Sequence, residues 1–322
     1  MTTTVTKTVN PAGAGGGFDF STLQAWHDAA PASLTVADEV WQGLASGNFS
    51  GSSGTLLLLA ANSTDATRYM ELTTAASASF RDNANVQTNA LRWNSSNGCS
   101  ATNSGSYGVT INASAQANFR MSKLQVQATT SKTLCATFGT VALIDGCIFE
   151  GAKNGNVVSL PGGSATIKNS LVVQRIASAS SVASLQYGST ALNCTFVTPS
   201  DLTKPSAVIN GVGGAANIKN CGMFWGTVTQ SGGSTPTYTT SGTDDVTTGV
   251  TQFTYNTSLF QNISDATRDF RLPSGSGLIG AGTVDNTNAP TDIAGTTRGA
   301  SNDIGCWQFV AAGTNLWAQS CL

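Results

Sequence analysis

Four segments of the chain are copies of one short template: LIDGCIF (143–149), TIKNSLV (166–172), ALNCTFV (191–197) and NIKNCGMF (217–224). In each, an aliphatic and a polar residue lead to Asn or Gly, then to Cys or Ser, with a bulky apolar side chain two positions later. The small residue is a marker. Cys147, Ser170, Cys194 and Cys221 lie 23, 24 and 27 residues apart, and RMSKLQV (120–126) is an earlier copy with Leu124 in the marker place. Self-similarity at such a period belongs to solenoids, whose units stack to bury a shared core. A leucine-rich repeat requires an L-x-x-L-x-L frame and a helical repeat a 3.6-residue spacing; neither is present.

A second apolar segment precedes each copy: LCATF (134–138), VVSL (157–160), ASLQY (183–187) and AVI (207–209), followed by Gly139, Gly162, Gly188 or Gly211. Two or more short strands per repeat are therefore expected. Side chains alternate along a strand, so the marker and the residue two positions on share one face, which should line the interior. Gly146, Asn169, Asn193 and Asn220 precede the markers. These residue types tolerate left-handed backbone at a corner and, stacked, can hydrogen-bond along a ladder. The pattern predicts an all-β fold, a right-handed parallel β-helix solenoid with a short N-terminal capping helix. A solenoid needs no internal boundary, so residues 1–322 are read as one domain: a cap over 1–50, coil turns over 51–226, and C-terminal turns with a closing segment over 227–322.

At the start, TVTKTV (4–9) alternates like an edge strand. FDFSTLQAWHDAAP then reads as a short helix with Ser21 as N-cap, Leu23, Trp26 and Ala30 on one face, and Pro31 as the stop. Such a helix would cover the open end of the coil, where unpaired strand edges meet water. DEVWQGL (38–44), TLLLLA (55–60) and RYMELTT (68–74) read as early strands, and SFRDNANVQTNALRW (79–93) as a lateral loop or irregular turn. Beyond Gly226, TVTQSGGSTPTYTTSGTDDVTTG is either an exposed excursion or a thin, Thr-rich set of strands.

Composition narrows the partners. Only 10% of residues are charged and 35 are glycine, while 40% are apolar, too many for a disordered chain. A net charge of −2 with no Lys or Arg run argues against nucleic acid. Met1 to Asn10 lacks the apolar core of a secretion signal, and the longest apolar run, Leu56 to Ala61, is far too short for a membrane span. The seven cysteines show no paired C-x-x-C spacing for zinc, and three sit at the inward marker, where small buried side chains in a reduced compartment are expected. Cys306 and Cys321 could approach each other.

DFRLPSGSGLIGAGT (269–283), TDIAGTTR (291–298) and NDIGCWQF (302–309) together resemble the closing turn of many pectin-lyase-like parallel β-helix proteins, in which D-x-x-G-x-x-R precedes D-I-G-x. The opening TKTV, FDFSTLQAWHDAAP and DATRYMELTT is similar to the starts of β-helix virion proteins of tailed bacteriophages. The resemblance implies that Asp292, Arg298 and Asp303 form a structural clasp, not a catalytic set. Some phage β-helix proteins are tailspikes that cleave polysaccharides, which needs two carboxylates about 5–9.5 Å apart. Between Ala101 and Thr240 the acids are Asp145, Glu150 and Asp201. Asp145 and Glu150 flank the marker and are expected at a corner and a strand exit, in solvent; they are the only candidate pair. Lys168 and Lys219 are expected to face outward, and His27, the only histidine, to lie on the surface of the cap helix. No phosphate loop, dinucleotide fingerprint or metal constellation is present, so no catalytic residue, cofactor or metal is assigned.

The outer strand face carries a further expectation. With the markers inward, Ile148, Leu171, Val173, Val197 and Phe224 point outward as an apolar strip about 14 Å tall at a strand spacing near 4.8 Å. A partner or a lateral loop should cover it. Packing of identical coils around a threefold axis makes these five residues a candidate oligomer interface; with inside and outside reversed, they are core. Few acids, compact length and no separate docking domain favour a noncatalytic phage virion protein, a trimeric capsid decoration or cement protein contacting the major capsid protein, assembled in the host cytoplasm. The alternative is a tailspike or fibre that binds or cleaves host surface glycan. A bacterial surface protein is a third class.

Overall fold

The computed structural model describes residues 1–51, 55–59, 62–82, 89–104, 107–111, 118–129, 135–137, 141–151, 155–160, 164–175, 181–186, 188–205, 207–212, 216–231, 236–247 and 249–311. Three long parallel sheets make the body of the chain. The first holds Thr3–Val9, Glu39–Ala45, Met70–Thr74, Asn118–Ser122, Val141–Asp145, Thr166–Lys168, Thr190–Leu192, Asn217–Lys219 and Thr237–Thr239. The second holds Asn48–Gly51, Ser100–Asn103, Gln125–Ala128, Ile148–Gly151, Leu171–Gln174, Thr195–Val197, Gly222–Phe224, Gly242–Thr243 and Thr251–Gln252. The third holds Thr55–Leu59, Tyr107–Ile111, Cys135–Thr137, Val158–Leu160, Ser181–Gln186, Ala207–Val212 and Val228–Ser231. From Glu39 to Thr243 each turn visits first, second and third sheet in that order, so each repeat carries three strands. The Thr-rich stretch after Gly226 forms strands in all three sheets.

The markers stack as the repeat predicts. Ile148 pairs with Leu171, Leu171 with Thr195, and Thr195 with Gly222, which sets Cys147, Ser170, Cys194 and Cys221 one above another immediately before these strands, all fully buried. In the six turns from Asn118 to Thr243 the corner between first and second sheets is left-handed: Lys123, Gly146, Asn169, Asn193, Asn220 and Thr240 have φ between 48° and 63°. Sequence reading missed Thr240 and the marker after it, Ser241, because that turn is short and its neighbours are threonines.

The structure also shows why the marker is Cys or Ser. Each side chain donates back across its corner to the carbonyl two residues earlier: Ser170 Oγ to Lys168 at 2.8 Å, Cys194 Sγ to Leu192 at 3.4 Å, Cys221 Sγ to Lys219 at 3.3 Å and Ser241 Oγ to Thr239 at 3.3 Å. The same atom can accept the backbone N–H of the marker one turn before, as Ser170 does from Cys147 (3.1 Å), Cys221 from Cys194 (3.4 Å) and Ser241 from Cys221 (3.2 Å). Burial pushes the Cys147 thiol up to about 12 and Cys194 well above its usual value, so both keep the proton they donate.

The inward faces form one apolar core from Val9 to Met223, with Phe119, Phe149 and Phe196 fully buried. Before the coil, a helix runs from Leu23 to Asp28. Its N-cap is Thr22, whose hydroxyl accepts the Ala25 N–H at 3.0 Å, one residue after the expected Ser21, which is not the cap. Trp26 is completely buried against Gly43, where any side chain would collide with the indole. His27 is buried rather than on the surface, with Nδ1 2.9 Å from Asp28 Oδ1.

Candidate functional site

The five strip residues point away from the coil interior, as expected, but they are not an open surface. Ile148, Leu171, Val173, Val197 and Phe224 are all at most 1% exposed, and they belong to an apolar cluster separate from the coil core. Its other half is this chain's own: Phe80 and Leu91 from the lateral loop between the Met70–Thr74 and Ser100–Asn103 strands, and Tyr255, Phe260, Phe270 and Ile304 from the segment after the last strand. Phe224 stacks on Tyr255 with ring centroids 5.7 Å apart and meets Phe260 edge-on at 5.5 Å. The assignment of these five side chains as an oligomer interface is therefore corrected: the C-terminal segment buries them within one chain.

Polar bonds fix that segment along the coil. Tyr255 donates its hydroxyl to the Thr198 carbonyl at 3.0 Å, Asp201 accepts from Ser264 Oγ and from the Asp265 N–H, and the Cys306 N–H donates to Thr195 Oγ1 at 3.1 Å. The corner asparagines serve it too. Asn220 exchanges two bonds with the Thr283 backbone, and Asn169 accepts from Arg298 and donates to Asp145 at 2.9 Å. Only Asn193, fully buried, has neither side-chain atom bonded, so the continuous asparagine ladder that the sequence allowed does not form.

Asp292, Arg298 and Asp303 come together in the closing segment, all buried, but the link between them is Gln308. Its side-chain oxygen accepts from Arg298 Nη1 and from the Asp303 N–H, both at 3.2 Å, while its own N–H donates to Asp292 Oδ2 at 2.9 Å. Asp292 also accepts the Ala294 and Thr296 N–H groups, and Asp303 those of Gly280 and Phe309. Burial raises the pKa of both carboxyls and lowers that of Arg298; their mutual attraction and the backbone bonds oppose those shifts. Every carboxylate oxygen is occupied by backbone, an arrangement that fixes a loop.

Asp145 and Glu150 do not meet as a pair. Asp145 lies at the end of a first-sheet strand, half-buried, 3.3 Å from Lys168 Nζ. Glu150 is fully buried on the outer face of the second sheet, not solvated at a strand exit as expected. It accepts from Gln127 Nε2 at 2.8 Å, Arg268 Nη2 at 2.5 Å and Arg175 Nη1 at 3.4 Å. Arg175 in turn grips Asp265 through two bonds of 2.7 Å, and Arg268 bonds the same carboxylate. Sequence reading missed this network because Arg268 lies 118 residues from Glu150. Lys168 and Lys219 face outward as expected and hold the closing segment by Asn288 O and Asp285.

Among the described residues no group of three or more His, Cys, Asp or Glu is placed to hold a metal ion, and no helix is long and apolar enough to cross a membrane. Cys321 and the Cys135 side chain lie outside the described residues; Cys99, Cys147, Cys194, Cys221 and Cys306 are free and buried. Compared with protein families, with curated proteins and with solved structures, the chain matches none.

Proposed function

We propose that the protein is a noncatalytic structural component of a tailed-phage virion, a capsid decoration or cement protein built as a right-handed parallel β-helix and capped at its first turn by the Leu23–Asp28 helix. The observation that carries the reading is the use of the acids: Asp145, Glu150, Asp265, Asp285, Asp292 and Asp303 all serve to fasten the C-terminal segment or a corner. General acid–base catalysis needs such groups free beside a substrate. A coil with one covered flank offers a rigid surface that docks by shape and hydrogen bonds. The phage assignment rests on the resemblance of both chain ends, and right-handedness on the near-universal hand of parallel crossovers.

Assembly as a trimer belongs to the proposal, with contacts on surfaces other than the strip. Purified protein added to capsids that lack it should bind saturably, raise particle survival on heating, and lose little affinity with salt, since only 10% of the residues are charged. Sedimentation should give three times the chain mass. Failure to bind capsids at any salt concentration refutes the cement role.

The alternative, a glycan-binding tailspike or fibre, is favoured by one open cleft of about 530 Å³ lined by Trp225, Phe253, Tyr255, Gln252 and Asp244. Lys204 lies over the Trp225 ring at 4.5 Å, and the Trp225 N–H holds Asp244 at 2.8 Å. Cleavage of host polysaccharide that disappears in Asp244→Asn would select this reading.

A further inference from the structure

Trp225 stands where a bulky residue rarely does. It follows the Gly222–Phe224 strand in left-handed backbone, φ 62°, and two hydrogen bonds fix it: its backbone N–H donates to Asp244 Oδ1 at 2.8 Å and its indole Nε1 to the Leu202 carbonyl at 2.8 Å. Outliers of this kind persist where the surroundings hold them, and they cluster at binding sites. The half-buried ring lines the open cleft of about 530 Å³ with Asp244, the only charged residue among the described ones that line it. Phe253, on the same cleft, lies against Gly242 and Gly277, where a side chain would crowd its ring, so this wall is fixed as well.

An ammonium group already sits beside these residues. Lys204 Nζ lies over the Trp225 ring at 4.5 Å and 3.6 Å from Asp244 Oδ2, too far for a hydrogen bond, so charge and the ring face hold it rather than a directed N–H. Burial raises the Asp244 pKa, the mark of a poorly hydrated carboxylate that a nearby cation stabilises. The lysine is the replaceable part: its side chain is 52% exposed, against 8% for Asp244, and an exposed pair with a strongly hydrated ammonium contributes little. Asp244 and Lys204 cancel, so a guest enters by exchanging one cation for another, not by meeting surplus charge. We propose that this site takes a quaternary ammonium group such as that of choline, with its methyl groups on the Trp225 ring, its charge beside Asp244 Oδ2, and Lys204 displaced into solvent. Such a group has no N–H to leave unpaired at this spacing, and it covers more of the ring than Nζ does. Neither the virion reading nor the glycan alternative is needed for it, and glycan cleavage is a separate measurement.

The test titrates the full chain with choline chloride, with ethanolamine and sodium chloride in parallel at equal ionic strength. It follows the indole N–H resonance of Trp225, assigned as the one missing from Trp225→Phe. Choline should shift it saturably in the millimolar range, ethanolamine more weakly, and sodium chloride not at all. Lys204→Gln, at an exposed position, should keep the parent's melting temperature and tighten choline binding about two- to fivefold, because the competing cation is gone. Asp244→Asn keeps an acceptor for the Trp225 N–H and should weaken choline binding about tenfold. A free molecule and a lipid headgroup share this chemistry; co-sedimentation with phosphatidylcholine vesicles identifies the lipid and its absence the free molecule, and both support the site. No saturable shift, tighter binding of ethanolamine than of choline, unchanged or weaker binding in Lys204→Gln, or parent affinity in Asp244→Asn overturns the proposal.

Discussion

At the corners that carry a Cys or Ser marker the backbone turns left-handed, and a single side chain bridges each of them. Ser170 shows both halves of that task, with Oγ donating to Lys168 O and accepting from the Cys147 N–H. Alanine there would leave the buried Cys147 N–H without a partner, so Ser170→Ala should lose about 1–3 kcal/mol in urea unfolding. Ser170→Cys, which restores the residue type of three other turns, should stay much closer to the parent. Equal stability of the alanine and serine proteins would show that the marker is chosen for size alone. The sequence exposed this residue as a period but not as a hydrogen-bonding device, since nothing in a list of Cys and Ser says where their protons go.

At the scale of elements, the strip and the segment that covers it form a second core outside the coil. Phe224 is its centre, fully buried and in contact with two aromatic rings. Phe224→Ala should cost about 3–5 kcal/mol and loosen the C-terminal segment, seen as faster proteolysis after Thr251–Gln252, with the sedimentation coefficient unchanged. A variant of parent stability but altered association state would restore the interface. The outward direction of Phe224 was legible because period-two alternation follows from the inward marker. Its cover was not, because Tyr255, Phe260 and Phe270 follow no repeat and meet the coil only through contacts distant in sequence. The same reason hid the burial of Glu150, while the stack of parallel strands, built from neighbours one period apart, could be read directly, although the repeat gave only two or more strands per turn and not the three sheets.

For the whole molecule, the carboxylates that tie the C-terminal segment to the coil and those that fix its closing loop respond to acid in opposite directions. Bonds from Arg175 hold the Asp265 pKa below its ordinary value, against a smaller opposing effect of burial; Asp285 is also lowered, its bonds from Lys219 and Asn288 together outweighing burial. For these groups the unfolded chain binds more protons in acid than the folded one, so their contribution is complete above about 3.9 and is lost as pH falls through the folded value. Asp292 and Asp303 are raised, mainly by burial, and have the reverse sign: their contribution is complete below about 3.9 and is lost as pH rises through the folded value. The acid profile of the parent protein is thus a sum in which the two sets partly cancel, and a single variant isolates one of them. Asp265→Asn removes the charge that Arg175 and Arg268 share with Glu150, and its melting temperature should fall below the parent's by a constant amount near neutrality. That gap should narrow steadily below about pH 3.9, as the parent's Asp265 takes up its own proton. A gap that stays constant into strong acid, or widens there, would mean that Asp265 is not what ties the C-terminal segment to the coil.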